Sequence, residues 1–163
     1  MAVLGPALRR LRARADYRDG PPWTLFRTEA ATTRFRVVWS DLGRSIRAAA
    51  LIGPEHRDLV PLNTCYFIGT SSAPVALALA AWLNAEPIRR LADRRATVAA
   101  SGFRRFNAAV IGSLPLPDGV TTDPTLIDIA RAARRTGRID QIALDARAAA
   151  LLEGSANDGS GAD

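Results

Sequence analysis

Lysine is missing from this chain, and all 22 of its basic side chains are arginines. Alanine is abundant at the same time, a combination typical of codon bias in a GC-rich genome. The formal net charge of +6 therefore gives weaker support for nucleic-acid binding than its size implies. A solvated arginine-rich surface is the competing interpretation of any single arginine.

Cysteine and histidine occur once each, as Cys65 and His56. One cysteine excludes an internal disulfide, and one cysteine with one histidine does not make a zinc site. Cys65 lies in an apolar run and is interpreted as a small buried hydrophobic residue. A small hydrolase using Cys65 or a serine with His56 is a disfavoured hypothesis, because a nucleophile needs its base within hydrogen-bond reach.

Long apolar runs and clustered acids are also lacking. The run 74–83 is much shorter than the roughly 20 residues that cross a bilayer, and arginines stand near the N-terminus where a signal peptide would be apolar. We expect a cytoplasmic protein with no membrane partner. The acids between residues 58 and 118 are scattered, so no metal site is predicted.

The charges are distributed unevenly along the chain. Residues 1–57 hold 11 arginines against 5 acids, residues 58–118 hold 6 against 4, and residues 119–163 hold 5 against 7. The positive excess therefore lies in the first third. A surface that neutralises phosphates would bind with a salt dependence of about −0.9 per phosphate contacted.

Apolar spacing and turn residues predict an α+β fold, with a small mixed or antiparallel sheet, packed helices and a helical C-terminal extension. The strand candidates are 23–27, 34–39, 46–52, 63–70 and 108–114. Helices are predicted at 4–15, from a Ser71 or Ser72 cap to about Asn84, at 88–98, from Asp123 to Gly137 and from Asp140 to about Leu152. Trp23, Trp39 and Trp82 each lie in an apolar pattern and are predicted to anchor the core.

Several short motifs follow one another in a fixed order between Pro22 and Pro117. They are Trp-Thr-Leu-Phe-Arg at 23–27, Val-Val-Trp-Ser-Asp at 37–41, Leu-Asn-Thr-Cys-Tyr at 62–66, Trp-Leu-Asn at 82–84, and Phe-Asn-Ala at 106–108 followed by Leu-Pro-Leu-Pro at 114–117. As a set, this series resembles the C-terminal target-recognition (specificity) domain of adenine-N6 DNA methyltransferases of restriction-modification systems. It is similar in plan to the recognition halves of Type I specificity subunits.

The resemblance implies a domain that holds duplex DNA opposite a catalytic domain and helps to select the methylation site. It implies double-stranded DNA and a methyltransferase catalytic domain or subunit as partners. In such domains, loops between strands reach base edges while arginines hold phosphates. By position, the DNA-binding candidates are Arg34, Arg36, Arg44, Arg47, Arg104 and Arg105.

The catalytic half of such an enzyme is not in this sequence. An adenine-N6 methyltransferase needs a glycine-rich strand-to-helix turn for S-adenosylmethionine and an Asn/Asp-Pro-Pro-aromatic loop for the flipped base, and neither occurs. The nearest glycine pattern, Gly-Thr-Ser-Ser at 69–72, is interpreted as a turn ending in a helix cap. We therefore expect no catalytic residue, no cofactor and no metal in this chain, with S-adenosylmethionine bound by the partner domain.

Four segments are predicted from these patterns. They are a helical lead-in at 1–21, a target-recognition-like domain at 22–118, a helical extension at 119–153 and a disordered tail at 154–163.

The family helix usually continues with Asn-Ser after Trp-Leu, whereas Ala-Glu-Pro follows Asn84 here. The resemblance implies either a separate specificity subunit or the severed end of a longer methyltransferase. The alternative function is a protein-interaction remnant, in which the apolar helices after Asp123 dock on a partner.

Overall fold

A computed structural model describes residues 12–13, 33–62 and 64–158. In these ranges the chain forms six strands in two three-stranded antiparallel sheets, with five α-helices. The α+β class predicted from the sequence is confirmed. The predicted helix at 4–15 lies outside the described residues apart from Arg12 and Ala13, as do the strand at 23–27, Trp23 and Asn63.

The first sheet contains β1 (Phe35–Ser40), β3 (Ala48–Leu51) and β4 (Cys65–Thr70), in the order β3-β1-β4. Val37 of β1 pairs with Ala50 on one side and Ile68 on the other. Val37 and Trp39 alternate along β1 and are both buried, so one face of the sheet covers the core. The Trp39 ring also stacks on Tyr66 of β4 at a centroid distance of 6.0 Å.

The second sheet contains β2 (Leu42–Gly43), β6 (Arg104–Arg105) and β5 (Thr97–Val98), in the order β2-β6-β5. Phe106 attaches it to the first sheet. Its carbonyl accepts a hydrogen bond from Trp39 Nε1 at 2.7 Å, and its backbone N–H donates to the Asp41 carbonyl at 2.7 Å. Gly43 is needed at this junction, because a Cβ there would lie 3.0 Å from the Ser45 carbonyl oxygen.

Helix α1 (Ala73–Asn84) lies at the centre of the molecule. It begins where predicted, with Ser72 as N-cap, and seven of its twelve residues are buried. Four of these are alanines, whose small side chains let neighbouring elements approach from several sides. Four elements pack against it: strands β1 and β3, helix α4 (Pro124–Thr136) and the 3₁₀ turn Val120–Thr122.

The last turn of α1 is held by two side chains that hydrogen-bond to backbone. Trp82 Nε1 donates to the Pro115 carbonyl at 3.0 Å. Asn84 pairs with both backbone groups of Ala48, accepting from its N–H at 3.1 Å and donating to its carbonyl at 2.7 Å. These bonds satisfy polar groups that the core would otherwise leave without partners. Trp82 and Trp39 are core anchors, as predicted.

The other helices are α2 (Glu86–Arg95), α3 (Ala108–Gly112) and α5 (Gln141–Asp158). Asp123 and Asp140 cap α4 and α5 as predicted, and α4 ends at Gly137, which is left-handed. Apolar residues of α4 and α5 lie in the same core cluster as the sheet residues and α1: Leu126, Ile127, Leu144 and Ala148. The segment predicted as a helical extension is thus packed into the core of the preceding domain.

Three predicted elements differ from the structure. The predicted strand 108–114 is wrong, because Asn107 accepts a hydrogen bond from the Val110 N–H at 3.0 Å and caps the short helix α3 instead. An apolar run of that length has no periodicity that separates strand from helix. Helix α2 begins at Glu86, with Pro87 in its first turn, and ends at Arg95, before the strand Thr97–Val98. Helix α5 continues to Asp158, beyond the predicted start of the disordered tail.

An ion pair between buried Asp123 and the more exposed Arg147 links α5 to the start of α4. Asp123 is 4% exposed, and its Oδ2 accepts from Arg147 Nε at 3.0 Å and Nη2 at 2.5 Å. Burial alone would raise the pKa of Asp123, but hydrogen bonds from Arg147 and from the backbone N–H groups of Leu126 and Thr125 lower it below its ordinary value. The same hydrogen bond raises the pKa of Arg147.

We predict that Asp123→Ala lowers the free energy of unfolding at pH 7 by about 2 to 4 kcal/mol. The helix cap contributes about 1 kcal/mol and the charge-assisted hydrogen bonds about 1.5 to 3 kcal/mol. The control, Asp123→Asn, keeps a cap oxygen for Leu126 and should lose less. Urea denaturation measures both.

The lowered pKa of Asp123 makes this contribution dependent on pH. It is fully present above the ordinary carboxyl pKa of about 3.9 and is lost as pH falls through the lower folded-state value. The stabilities of wild type and Asp123→Asn should therefore begin to approach each other below about pH 4 and become equal only below the folded-state pKa of Asp123. Equal losses for the alanine and asparagine variants at pH 7, or a constant gap down to acid pH, would contradict the assignment.

Candidate nucleic-acid interface

The candidate interface lies on and beside the hairpin formed by residues 97–105. Its turn places Ser101 at φ 58° and Gly102 at φ 75°, the two positive values that a type I′ turn requires. The Phe103 N–H donates to the Ala100 carbonyl at 3.2 Å, and the Ala99 N–H donates to the Phe103 carbonyl at 2.7 Å. Ser101 is the only non-glycine with positive φ in the described part of the chain.

Phe103 of the hairpin forms an exposed arginine–aromatic pair with Arg44, which follows β2. The Arg44 guanidinium carbon lies 5.6 Å from the centroid of the Phe103 ring, within the range of a cation–π interaction. Both residues are exposed, and the neighbouring Val98 is 66% exposed. A guanidinium on an exposed ring beside apolar side chains is a surface of the kind that contacts phosphates and bases.

Arg104 and Arg105 occupy adjacent positions on β6 and have different environments. Arg105 pairs with Asp41, Nη1 to Oδ2 at 2.5 Å, and its side chain is half exposed. Arg104 is half-buried and donates from Nη1 to the Asp93 carbonyl at 3.0 Å, which attaches the hairpin to α2. Arg105 is therefore positioned to contact a partner, whereas Arg104 supports the strand.

The other three predicted arginines lie elsewhere. Arg34 is exposed, with its guanidinium 5.0 Å from the Phe35 ring centroid, and Arg47 is exposed in the connection between β2 and β3. Arg36 is 1% exposed, and its Nη2 donates to the His56 carbonyl at 2.7 Å. This burial places Arg36 out of reach of a duplex, so it is not included in the interface. Of the two candidates on this strand segment, only Arg34 is accessible.

Sequence reasoning missed the residues that act across the fold. Asp41 fixes the Arg105 side chain although 64 residues separate them, and no local pattern reveals such a pair. The sequence patterns also assigned no role to three arginines at helical spacing on α4, Arg131, Arg134 and Arg135. Their spacing on one helix face is visible in the sequence, but the neighbours of that face are not.

The described residues offer no metal-binding cluster. They contain no group of three or more His, Cys, Asp or Glu side chains that could hold a metal ion. His56 Nδ1 accepts from the Gly53 N–H at 3.3 Å within its own turn, and Cys65 is half-buried at the start of β4. No helix in these ranges is long and apolar enough to span a bilayer.

The segment 69–72 connects the end of β4 to the start of α1. A Cβ on Gly69 would lie 3.0 Å from the Thr33 methyl group, so that space is already filled. Ser72 is used as a helix cap, accepting from the Val75 N–H at 3.5 Å. The predicted cap is confirmed at Ser72, whereas Gly69 and Thr70, predicted as part of the turn, are the last residues of β4.

Comparison with protein-family models, with curated proteins and with solved structures finds no match to this chain. Arguments about function therefore depend on the chemistry of the residues themselves and on the motif series described above.

We predict that Gly102→Ala destabilises the hairpin locally by about 1 to 2 kcal/mol, because a side chain in the left-handed region is strained. The amides of Ala99 and Phe103 should then exchange with solvent faster than in wild type. Ser101→Gly is the matched control, since it removes a strained side chain from the same turn and should not accelerate exchange. Faster exchange in both variants, or in neither, would be incompatible with the turn geometry.

Proposed function

We propose that this chain is a DNA-recognition domain that positions duplex DNA for a site-specific adenine-N6 methyltransferase. The catalytic domain, with its S-adenosylmethionine, is supplied by a partner domain or subunit. This chain by itself is not the enzyme. Its part is to hold the duplex and help select the site before the partner flips the target adenine out of the stack.

The observation that carries the proposal is the exposed group formed by Phe103 and Arg105 of the hairpin and the adjacent Arg44. Arg44 is held over the Phe103 ring, and Arg105 is oriented by Asp41 at 2.5 Å. Guanidinium groups oriented in this way match the geometry of phosphate oxygens and of guanine edges. A two-stranded ribbon is also narrow enough to enter the major groove.

The side chains that carry the resemblance support the proposal by meeting in one packed unit. Trp82 bonds to the carbonyl of Pro115, and Trp39 bonds to the carbonyl of Phe106. Asn107 caps the helix that leads into the Leu-Pro-Leu-Pro run. Motifs that are distant in sequence thus depend on one another in the fold, as expected if they define one kind of domain.

The alternative, a protein-interaction remnant, retains a smaller surface than the sequence implied. Leu126, Ile127 and Leu144, on the apolar sides of α4 and α5, are buried within the chain's own core and are not available to a partner. What remains exposed in this region is Ile139 and Ile142, the latter at 86%. Association with a protein through these residues would be insensitive to salt, whereas duplex binding would not.

We predict that the chain binds a short fluorescent duplex in anisotropy measurements and that the double variant Arg44→Ala/Arg105→Ala weakens binding at least about tenfold at low salt. The slope of log K against log salt, measured between about 50 and 200 mM, should become shallower by about 0.9 for each phosphate contact removed.

The control is Arg90→Ala/Arg138→Ala, which removes the same charge from exposed sites outside the hairpin. Arg90 pairs with Glu86 on its own helix at 2.9 Å. This variant should bind with nearly the wild-type slope. Absence of duplex binding by the wild type at low salt, or equal losses in the two double variants, would refute the proposed function.

A further inference from the structure

A second positively charged surface lies on the side of the molecule formed by α1 and α4. An open cleft of about 470 Å³ is lined there by Arg131, Arg134 and Arg135, with an apolar floor that includes Ile52, Pro74 and Leu77. The three arginines are at positions i, i+3 and i+4 of α4, so they share one face of the helix. None of them was predicted to bind anything from the sequence.

The positive charge of the cleft is only partly balanced. Arg131 pairs with Asp128 of its own helix at 3.1 Å, but both side chains are largely exposed and such pairs contribute little. Arg135 has no ion-pair partner among the residues that the structure describes. The first turn of α1, at Ala73 and Pro74, also borders the cleft and adds the positive end of its dipole.

The carboxylate of Glu55 is an anion that already contacts the cleft. Glu55, in the turn Pro54–His56, contacts the Arg134 guanidinium from a distant part of the chain. A hydrogen bond from the backbone N–H of Glu55 to its own carboxylate is the main cause of its lowered pKa. Burial opposes this effect, and the charges of His56 and Arg134 lower the pKa further. Glu55 is therefore ionised at neutral pH and competes for Arg134 with any other anion.

We propose that this cleft binds a phosphate ester, with the phosphate oxygens on the three arginines and the organic part on the apolar floor. Planar guanidinium groups match phosphate oxygens by paired hydrogen bonds. The volume is in the range of small-ligand sites, and the floor offers apolar contact that a bare inorganic ion would not use. The shared chemistry is that of a nucleotide unit, either free or in a nucleic-acid backbone. The proposal does not rest on the function assigned to the hairpin.

Two substitutions should change binding in opposite directions. Arg135→Ala removes a guanidinium and should weaken binding about tenfold. Glu55→Gln removes the competing carboxylate and should strengthen binding by about two- to fivefold. Loss of affinity in Arg135→Ala could follow from partial unfolding, but a gain in Glu55→Gln could not. Arg138→Ala, which removes a charge just beyond α4 and outside the cleft lining, is the matched control and should leave affinity unchanged.

Calorimetric titration with a nucleoside monophosphate, with inorganic phosphate and with a short duplex distinguishes the sources. A free nucleotide is supported as the ligand if the monophosphate binds more tightly than inorganic phosphate, and if its affinity falls in Arg135→Ala and rises in Glu55→Gln. A backbone phosphate is supported if these two changes in affinity are seen only with the duplex. If Glu55→Gln and Arg135→Ala change the affinity for neither the monophosphate nor the duplex, the proposal is overturned. Nucleotide binding that responds to both, in a chain that binds no duplex, would uphold this site while refuting the function of the hairpin.

Discussion

The burial of helix α1 is the constraint on which the rest of the structure depends. Its alanine-rich sequence lets the β1–β3 strands, α4 and the turn at 120–122 approach closely, so the helix is enclosed rather than covered on one face. An enclosed helix must satisfy the polar groups near its ends. Asn84 does so with the backbone of Ala48, and Trp82 does so with the Pro115 carbonyl. These bonds fix where strand β3 and the proline-rich segment lie relative to the core.

The same packing orients both charged surfaces. Trp39, buried between the first sheet and α1, holds the Phe106 carbonyl at 2.7 Å, so the short strands of the second sheet are attached to a rigid support. Paired two-residue strands alone would be marginally stable in water. On the other side of α1, the burial of Leu126 and Ile127 fixes the rotation of α4 and directs its arginine face toward the N-terminal turn of α1. Apolar burial thus determines where the exposed guanidinium groups lie.

Local signals predicted the parts of the fold that local chemistry controls. The caps at Ser72, Asp123 and Asp140 and the stop at Gly137 could all be read from neighbouring residues. Segment 108–114 was misassigned because its apolar run fits a strand as well as a helix, and the cap bond of Asn107 decides between them. The candidate site depends on longer-range contacts. Arg36 and Arg105 look alike in sequence, yet one is buried against His56 and the other is exposed beside Asp41.

We propose that Arg44 and Arg105, and not arginines in general, contact DNA. Because the chain has no lysine, the side-chain Nε–Hε signals of arginine report on every basic side chain except the single histidine. The most direct measurement is therefore a titration of ¹⁵N-labelled protein with duplex DNA, followed by nuclear magnetic resonance of these signals. The signals of Arg44 and Arg105 are expected to shift at low salt, while those of Arg90 and the buried Arg36 should not move. Uniform shifts across all exposed arginines, or none at Arg44 and Arg105, would contradict it.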